Sequence, residues 1–268
     1  MSEQDKTREE QIREIAKKTV RYRMAGTDDV VVRNITYNTG HEDLAMDIYY
    51  PSQPAGAARL PVALIPFGYA DPEGHIRTFG PVTSWARLTA ASGIATAIYG
   101  TRAPAENIHA ALAHLRTNAV GLNLDAQRIG LFASSGNVPV ALSALMRDAG
   151  IRCAALLCGY TLDLDGSTAV ADMARQVLFA DACSGRSVAD LPDGVPMLVV
   201  RAGRDQFPGL NAALDKVIAG VLARNLPLTV VNYATGGHGF EFEEDTEMSR
   251  EVIRQVLAFL RFHLKAMG

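Results

Sequence analysis

Cysteine is scarce in this chain. Its three thiols in 268 residues, Cys153, Cys158 and Cys183, are odd in number and show neither CxxC nor zinc-ligand spacing. A disulfide framework and a thiol-bound metal are therefore excluded as the basis of the fold, and the three read as buried fillers. Positive charge is not in excess either. With a formal net charge of −3 and basic residues spread along the chain, no basic field exists to engage a phosphate backbone, which argues against nucleic acid as a partner. Long apolar runs are missing as well: none approaches the roughly 20 residues needed to cross a bilayer, so no membrane role is expected. The opening stretch MSEQDKTREEQIREIAKK is charged and lacks the apolar segment of a signal peptide, and a cytoplasmic location is the expectation.

What is there is an ordinary apolar complement, 48% hydrophobic against 21% charged residues, enough for one large core and far from the composition of disordered chains. A charged, amphipathic helix is expected over residues 4 to 18. Next come VVVRNITY and LAMDIYY, two strands joined across the polar NTGHED as a hairpin. Six short apolar runs then alternate with helical stretches: PVALIP (61–66), IATAIY (94–99), RIGLFA (128–133), CAALLC (153–158), PMLVVRA (196–202) and LTVVNY (228–233). Helices are expected near 82–91, 104–118, 137–148, 209–224 and 246–265. Continuous apolar strands separated by helices imply a mostly parallel sheet of about eight strands covered on both faces, an α/β fold. The irregular stretch 159–190 reads either as a small lid or as a crossover helix with ragged ends.

The most specific stretch is RIGLFASSGNVPVALSAL, residues 128–145, where an apolar strand runs into an apolar helix with two serines at the junction. In open α/β sheets reactive groups collect at such carboxyl ends. A serine on a tight strand-to-helix turn needs small residues two before and two after it, because strand and helix approach closely there. Centring on Ser135 puts Ala133 and Asn137 at those positions, whereas centring on Ser134 puts Phe132 at one of them, where it would clash. Ser135 is therefore the candidate nucleophile. Gly136 follows it with a backbone N–H at the helix start, and Pro139 falls in the first turn, where a missing N–H costs least.

Here the chain resembles the α/β-hydrolase family, whose G-x-S-x-G elbow reads Ala133-Ser134-Ser135-Gly136-Asn137, with both outer glycines replaced. The resemblance extends from the first hairpin to the final helix and brings an acid and a histidine in the family's order. VVRAGRDQFPGL leaves one strand with Asp205, and VVNYATGGHGFEF leaves the last with His238. It implies Ser135 as nucleophile, His238 as general base and Asp205 as the residue that orients the imidazole. In LIPFGYADPEG, Phe67 stands where related esterases often carry histidine, Gly68 matches, and Tyr69 falls at the second oxyanion-donor position. The resemblance thus implies the backbone N–H groups of Tyr69 and Gly136 as the oxyanion hole, with Gly68 next in line. GHGF near the C-terminus is similar to esterases of the dienelactone-hydrolase type, a branch that often uses cysteine where this chain has Ser135.

The implied organisation is a hydrolase domain over 26–268 preceded by a helical extension over 1–25, which could pack against the domain or join two copies as a homodimer. The implied activity is hydrolysis of a carboxylic ester or related acyl bond in a small-molecule substrate through an acyl-enzyme, with no cofactor and no metal. Two alternatives stay open: a peptidase of the prolyl-oligopeptidase type, and a ligand-binding member of the fold without turnover. His109 and His114 lie five apart on a helix and share no face, so they do not suggest a metal site. The acidic run Glu241, Glu243, Glu244 and Asp245 reads as a solvated entry to the last helix rather than as a patch for a cationic substrate, and Trp85 and Met173 read as core rather than as the lining of a pocket.

Overall fold

The central apolar runs are buried at nearly every position and so build a sheet with two buried faces. The computed structural model describes residues 8–52 and 59–264. Helix α1 (Arg8–Lys17) comes first; residues 4–7 of the expected helix lie outside the described residues. Hairpin β1 (Val31–Asn38) and β2 (Asp43–Tyr50) follows, then β3 (Leu60–Ile65), α2 (Gly80–Ala91), β4 (Ala95–Tyr99), α3 (Pro104–Thr117), β5 (Leu124–Ser134), α4 (Val138–Arg147) and β6 (Ile151–Leu157). The chain continues with α5 (Ala169–Val177), β7 (Met197–Ala202), α6 (Leu210–Ala223), β8 (Leu228–Tyr233), the single turn α7 (Phe240–Glu243) and α8 (Glu247–His263). Among the described residues all eight expected strands and all the expected helices form; residue 265 of the last expected helix lies outside them. The largest boundary difference is at β5, which starts four residues early because Leu124 pairs with Leu60 before an irregularity resets the register to Val62–Ile129.

The strands run in the order β1-β2-β4-β3-β5-β6-β7-β8. Strand β2 is antiparallel to both its neighbours, and the pairs from β4 to β8 are parallel. Side chains alternate between faces with the period of two that a pleated strand imposes. Val62, Leu64, Ile129, Leu131, Ala154, Leu156 and Val199 pack with α3, α4 and α6 on one face. Ala63, Ile65, Phe132, Ala155, Leu157, Leu198 and Val200 pack with α2 and α8 on the other, where Trp85 is buried. The order reverses around β3, so the loops leaving β3 and β5 emerge side by side at the carboxyl edge, the place where open α/β sheets bind ligands. Those of β7 and β8 emerge at the same edge.

The segment 159–190 folds as α5 with a loop on each side. Tyr160, Val170, Met173, Ala174 and Phe179 form a small apolar cluster of their own with Leu210 and Ala213 of α6, at the same edge of the sheet. At the other end of the chain, Val20 is buried against the α2/α8 face. The Val20 N–H donates to Ser84 Oγ at 3.0 Å, and the Arg21 N–H donates to the Glu241 carbonyl at 2.8 Å. No helix among the described residues is long and apolar enough to cross a membrane.

Candidate active site

Strand β5 ends at Ser134, which is still extended at φ −133°. The next residue, Ser135, takes φ +55°, a left-handed value uncommon outside glycine that costs about 1–3 kcal/mol and persists only where the surroundings enforce it. A helical turn over Ser135–Asn137 then leads into α4, with Pro139 in its first turn. The turn is tight because its neighbours press on it. A Cβ on Gly159, just past β6, would lie 2.2 Å from Val138 Cγ2 and 2.8 Å from the Ser135 carbonyl oxygen. The local steric argument thus ends in a backbone that turns one serine, Ser135, away from the strand.

Its hydroxyl meets the histidine. Ser135 Oγ is 2.8 Å from His238 Nε2, and His238 Nδ1 is 2.7 Å from Asp205 Oδ2. The Asp205 side chain is 0% exposed. Its other oxygen accepts the Phe207 N–H at 3.0 Å, so the carboxylate is held on both sides. Helix α6 starts after Gly209, which leaves Asp205 outside any cap of that helix. The loops bearing the acid and the histidine are joined to each other. The Gly203 N–H donates to the Tyr233 carbonyl at 2.8 Å, and the Arg204 N–H to the Gly236 carbonyl at 2.9 Å. The Phe207 ring meets the imidazole edge to face, with centroids 4.5 Å apart.

The loop after β3 packs directly on the nucleophile turn. A Cβ on Gly68 would fall 2.0 Å from the Gly136 carbonyl oxygen, so only glycine permits this approach. The Gly68 N–H is engaged by Asn137 Oδ1 at 2.7 Å, and its carbonyl accepts the Ala180 N–H at 2.6 Å. Gly68 is thereby removed from the candidate donors. Tyr69 and Gly136 lie together: the Tyr69 phenol oxygen is 2.6 Å from where a Cβ on Gly136 would sit. The asparagine that replaces the second elbow glycine is therefore the residue that ties this loop to α4, a role sequence alone did not suggest.

One expectation fails. Glu241 is not part of a solvated run: it is 2% exposed, and its Oε2 has no hydrogen-bond partner among the described residues. Burial raises its carboxyl above the usual range, against a backbone hydrogen bond and the nearby His238, which favour the charged form. The reason is that α7 turns inward: Phe240 is fully buried beside it and stacks edge-on against Tyr233. The neighbouring acids hold the histidine loop. Glu244 accepts the Gly237 N–H at 3.2 Å and the Tyr233 hydroxyl at 2.5 Å, while Glu243 pairs with Lys18. The three cysteines are buried, as expected, and burial pushes the thiols of Cys153 and Cys183 up to about 12 and raises that of Cys158. Burial also raises the Tyr160 phenol to about 12, with the Asp205 charge adding to the effect.

No family model matches the chain, and no curated protein matches it in sequence. Solved structures do. A thermophilic and thermostable carboxylesterase cloned from a metagenomic library aligns at 18% identity and TM-score 0.71, over 96% of this chain and 95% of its own. One of two fungal esterases from Rhizomucor miehei aligns at 16% identity and TM-score 0.70, over 95% of this chain and 88% of its own. A bacterial heroin esterase aligns at 14% identity and TM-score 0.69, over 90% and 86%. At these identities the likeness establishes the fold, which is that of the α/β-hydrolases.

Proposed function

We propose that this α/β-hydrolase-fold chain is a serine esterase that cleaves a carboxylic ester of a small molecule through an acyl-enzyme at Ser135. The observation that carries the reading is the unbroken hydrogen-bonded chain from Ser135 Oγ through His238 to Asp205. A serine hydroxyl is a weak nucleophile until a base takes its proton. Asp205, held by the Phe207 N–H, accepts the hydrogen bond from the proton that His238 carries on Nδ1, which leaves Nε2 as the acceptor facing Oγ. As Oγ attacks the ester carbonyl, its proton passes to Nε2 and a negative charge develops on the carbonyl oxygen. The N–H groups of Gly136, at the positive end of the α4 dipole, and of Tyr69 receive that charge. The imidazolium returns the proton to the departing alcohol. Water, deprotonated in turn by His238, then releases the acid.

In this reading residues 26–268 are the hydrolase domain, 1–25 an extension, and 159–190 the segment that covers the site. The test is labelling with a fluorophosphonate followed by turnover of p-nitrophenyl esters. Wild type should be labelled and active. Ser135→Ala should lose the label and at least about 10³ in kcat, while Ser134→Ala should keep most of both. Inactivation by Ser134→Ala alone would shift the nucleophile by one residue. A label on Ser135 without turnover of any ester would redirect the reading to a peptidase or a ligand-binding protein.

A further inference from the structure

The esterase reading leaves the substrate open, and the surroundings of Gly136 narrow it. For attack, the ester carbonyl carbon must approach Ser135 Oγ with its oxygen toward the Gly136 N–H, so its substituents pass close to whatever covers that glycine. Two rings do. A Cβ built on Gly136 would lie 2.6 Å from Tyr69 Oη and 3.0 Å from Phe179 Cδ1, so the two rings lie directly against this glycine and leave no space for a side chain on it. Phe179 is 5% exposed. It stacks on Tyr160 with centroids 5.4 Å apart and planes at 26°, and meets Tyr69 edge to face at 6.4 Å.

The backbone is arranged to put Phe179 there. Helix α5 ends on Leu178 in the left-handed conformation, φ +65°, which a leucine adopts only at a cost of about 1–3 kcal/mol. Leu178 itself is turned outward and 59% exposed, and that reversal directs the following ring inward. Immediately afterwards the Ala180 N–H donates to the Gly68 carbonyl at 2.6 Å, fastening the turn to the loop that carries Tyr69. An exposed leucine held in a strained conformation contributes little to a core; its effect is to place its neighbour.

We propose that Phe179 is the end wall of the acyl pocket and restricts the enzyme to esters of short aliphatic acids such as acetate and propionate. Tyr160 backs the ring, and the hydrogen bond from Ala180 to Gly68 fixes its distance from the nucleophile. A longer acyl chain would have to displace a stacked, buried ring. Discrimination of one methylene in a packed apolar pocket reaches about 10–200-fold, so the cutoff should be sharp.

This inference rests on the esterase reading, and the experiment separates the two. The kcat/KM values of wild type, Phe179→Ala and Phe179→Leu are measured on p-nitrophenyl acetate, butyrate, hexanoate and octanoate, and on ethyl, butyl and octyl acetate, with a melting curve for each variant. Wild type should favour acetate over octanoate by at least about tenfold, and Phe179→Ala should raise the octanoate-to-acetate ratio by at least about tenfold. Phe179→Leu, with a smaller change in volume, should move it in the same direction and keeps the test valid if the alanine variant does not fold. A wild type that prefers octanoate overturns the proposal, as does a folded variant with an unchanged acyl profile. A shift only in the alkyl acetate series would assign Phe179 to the alcohol side and overturn it too. Failure of wild type on every ester would remove the esterase reading and this proposal together.

Discussion

Replacing Asn137 by glycine would restore the elbow motif and, by motif alone, should do no harm. The structure says otherwise. Asn137 Oδ1 accepts the Gly68 N–H at 2.7 Å, and the next residue in that loop is Tyr69, whose N–H the proposed mechanism uses. Without the side chain the Gly68 N–H is left in a partly buried crevice with no acceptor, which costs about 1–3 kcal/mol. For a chain of this length that corresponds to a fall in Tm of about 2–4 °C per kcal/mol. The loop would relax away from α4, drawing the Tyr69 donor out of line. Complete loss of one oxyanion donor costs about 10²–10³ in kcat, so a donor displaced rather than deleted should cost about 10–10². Asn137→Ala isolates this effect, since Asn137 has a helical φ of −86° and glycine there would add a backbone entropy cost of its own. The assay is kcat and KM on p-nitrophenyl acetate with a thermal melt for both variants. The loss should appear in kcat more than in KM, because the charge is greatest in the transition state. A variant with wild-type kcat and Tm would refute the link between Asn137 and the oxyanion loop.

Two further outcomes follow from the surroundings of His238. Glu241 is buried with its pKa raised, so the folded state keeps the proton to a higher pH than the unfolded chain, which releases it above about pH 4.3. The stability linked to that proton is fully present at lower pH and declines as pH rises toward the raised value. Glu241→Gln removes this dependence and should raise Tm relative to wild type at pH 8, with the difference shrinking toward pH 4; equal Tm differences at both pH values would show that the carboxyl is ionised in the fold. Deleting residues 1–21 removes the buried Val20 side chain, the Arg21 N–H bond to the Glu241 carbonyl and the Arg21 Nε bond to the Phe242 carbonyl, 2.7 Å long. Stability should fall by about 2–4 kcal/mol and kcat several-fold, because α7 continues directly from His238; an unchanged melting curve would show that the segment contributes nothing to holding that loop.

The features legible in the sequence are those that local chemistry decides. Short apolar runs can be satisfied only as strands buried on both faces, and β3 to β7 appear where those runs stand. The choice of Ser135 over Ser134 needed only the steric rule that Phe132 cannot sit two residues before a tight turn, and Ser135 is the residue with the left-handed φ. Asp205 and His238 were marked by their places at strand ends. The exposures of the charged residues around them were not marked in this way. Glu241 and Glu243 are two residues apart in the same acidic run, yet α7 turns the first inward and leaves the second to pair with Lys18. Likewise Asn137 read only as a replacement for the second elbow glycine until the loop 69 residues earlier was placed against it. Phe179 was not singled out within the irregular stretch 159–190, and only the turn at Leu178 lays it against Gly136. These decisions depend on which strand ends are neighbours. Strand order brings the loops after β3 and β5 side by side, and whether a given carboxylate, amide or ring meets solvent or another loop is settled only when distant segments pack and their groups must find partners or lose them.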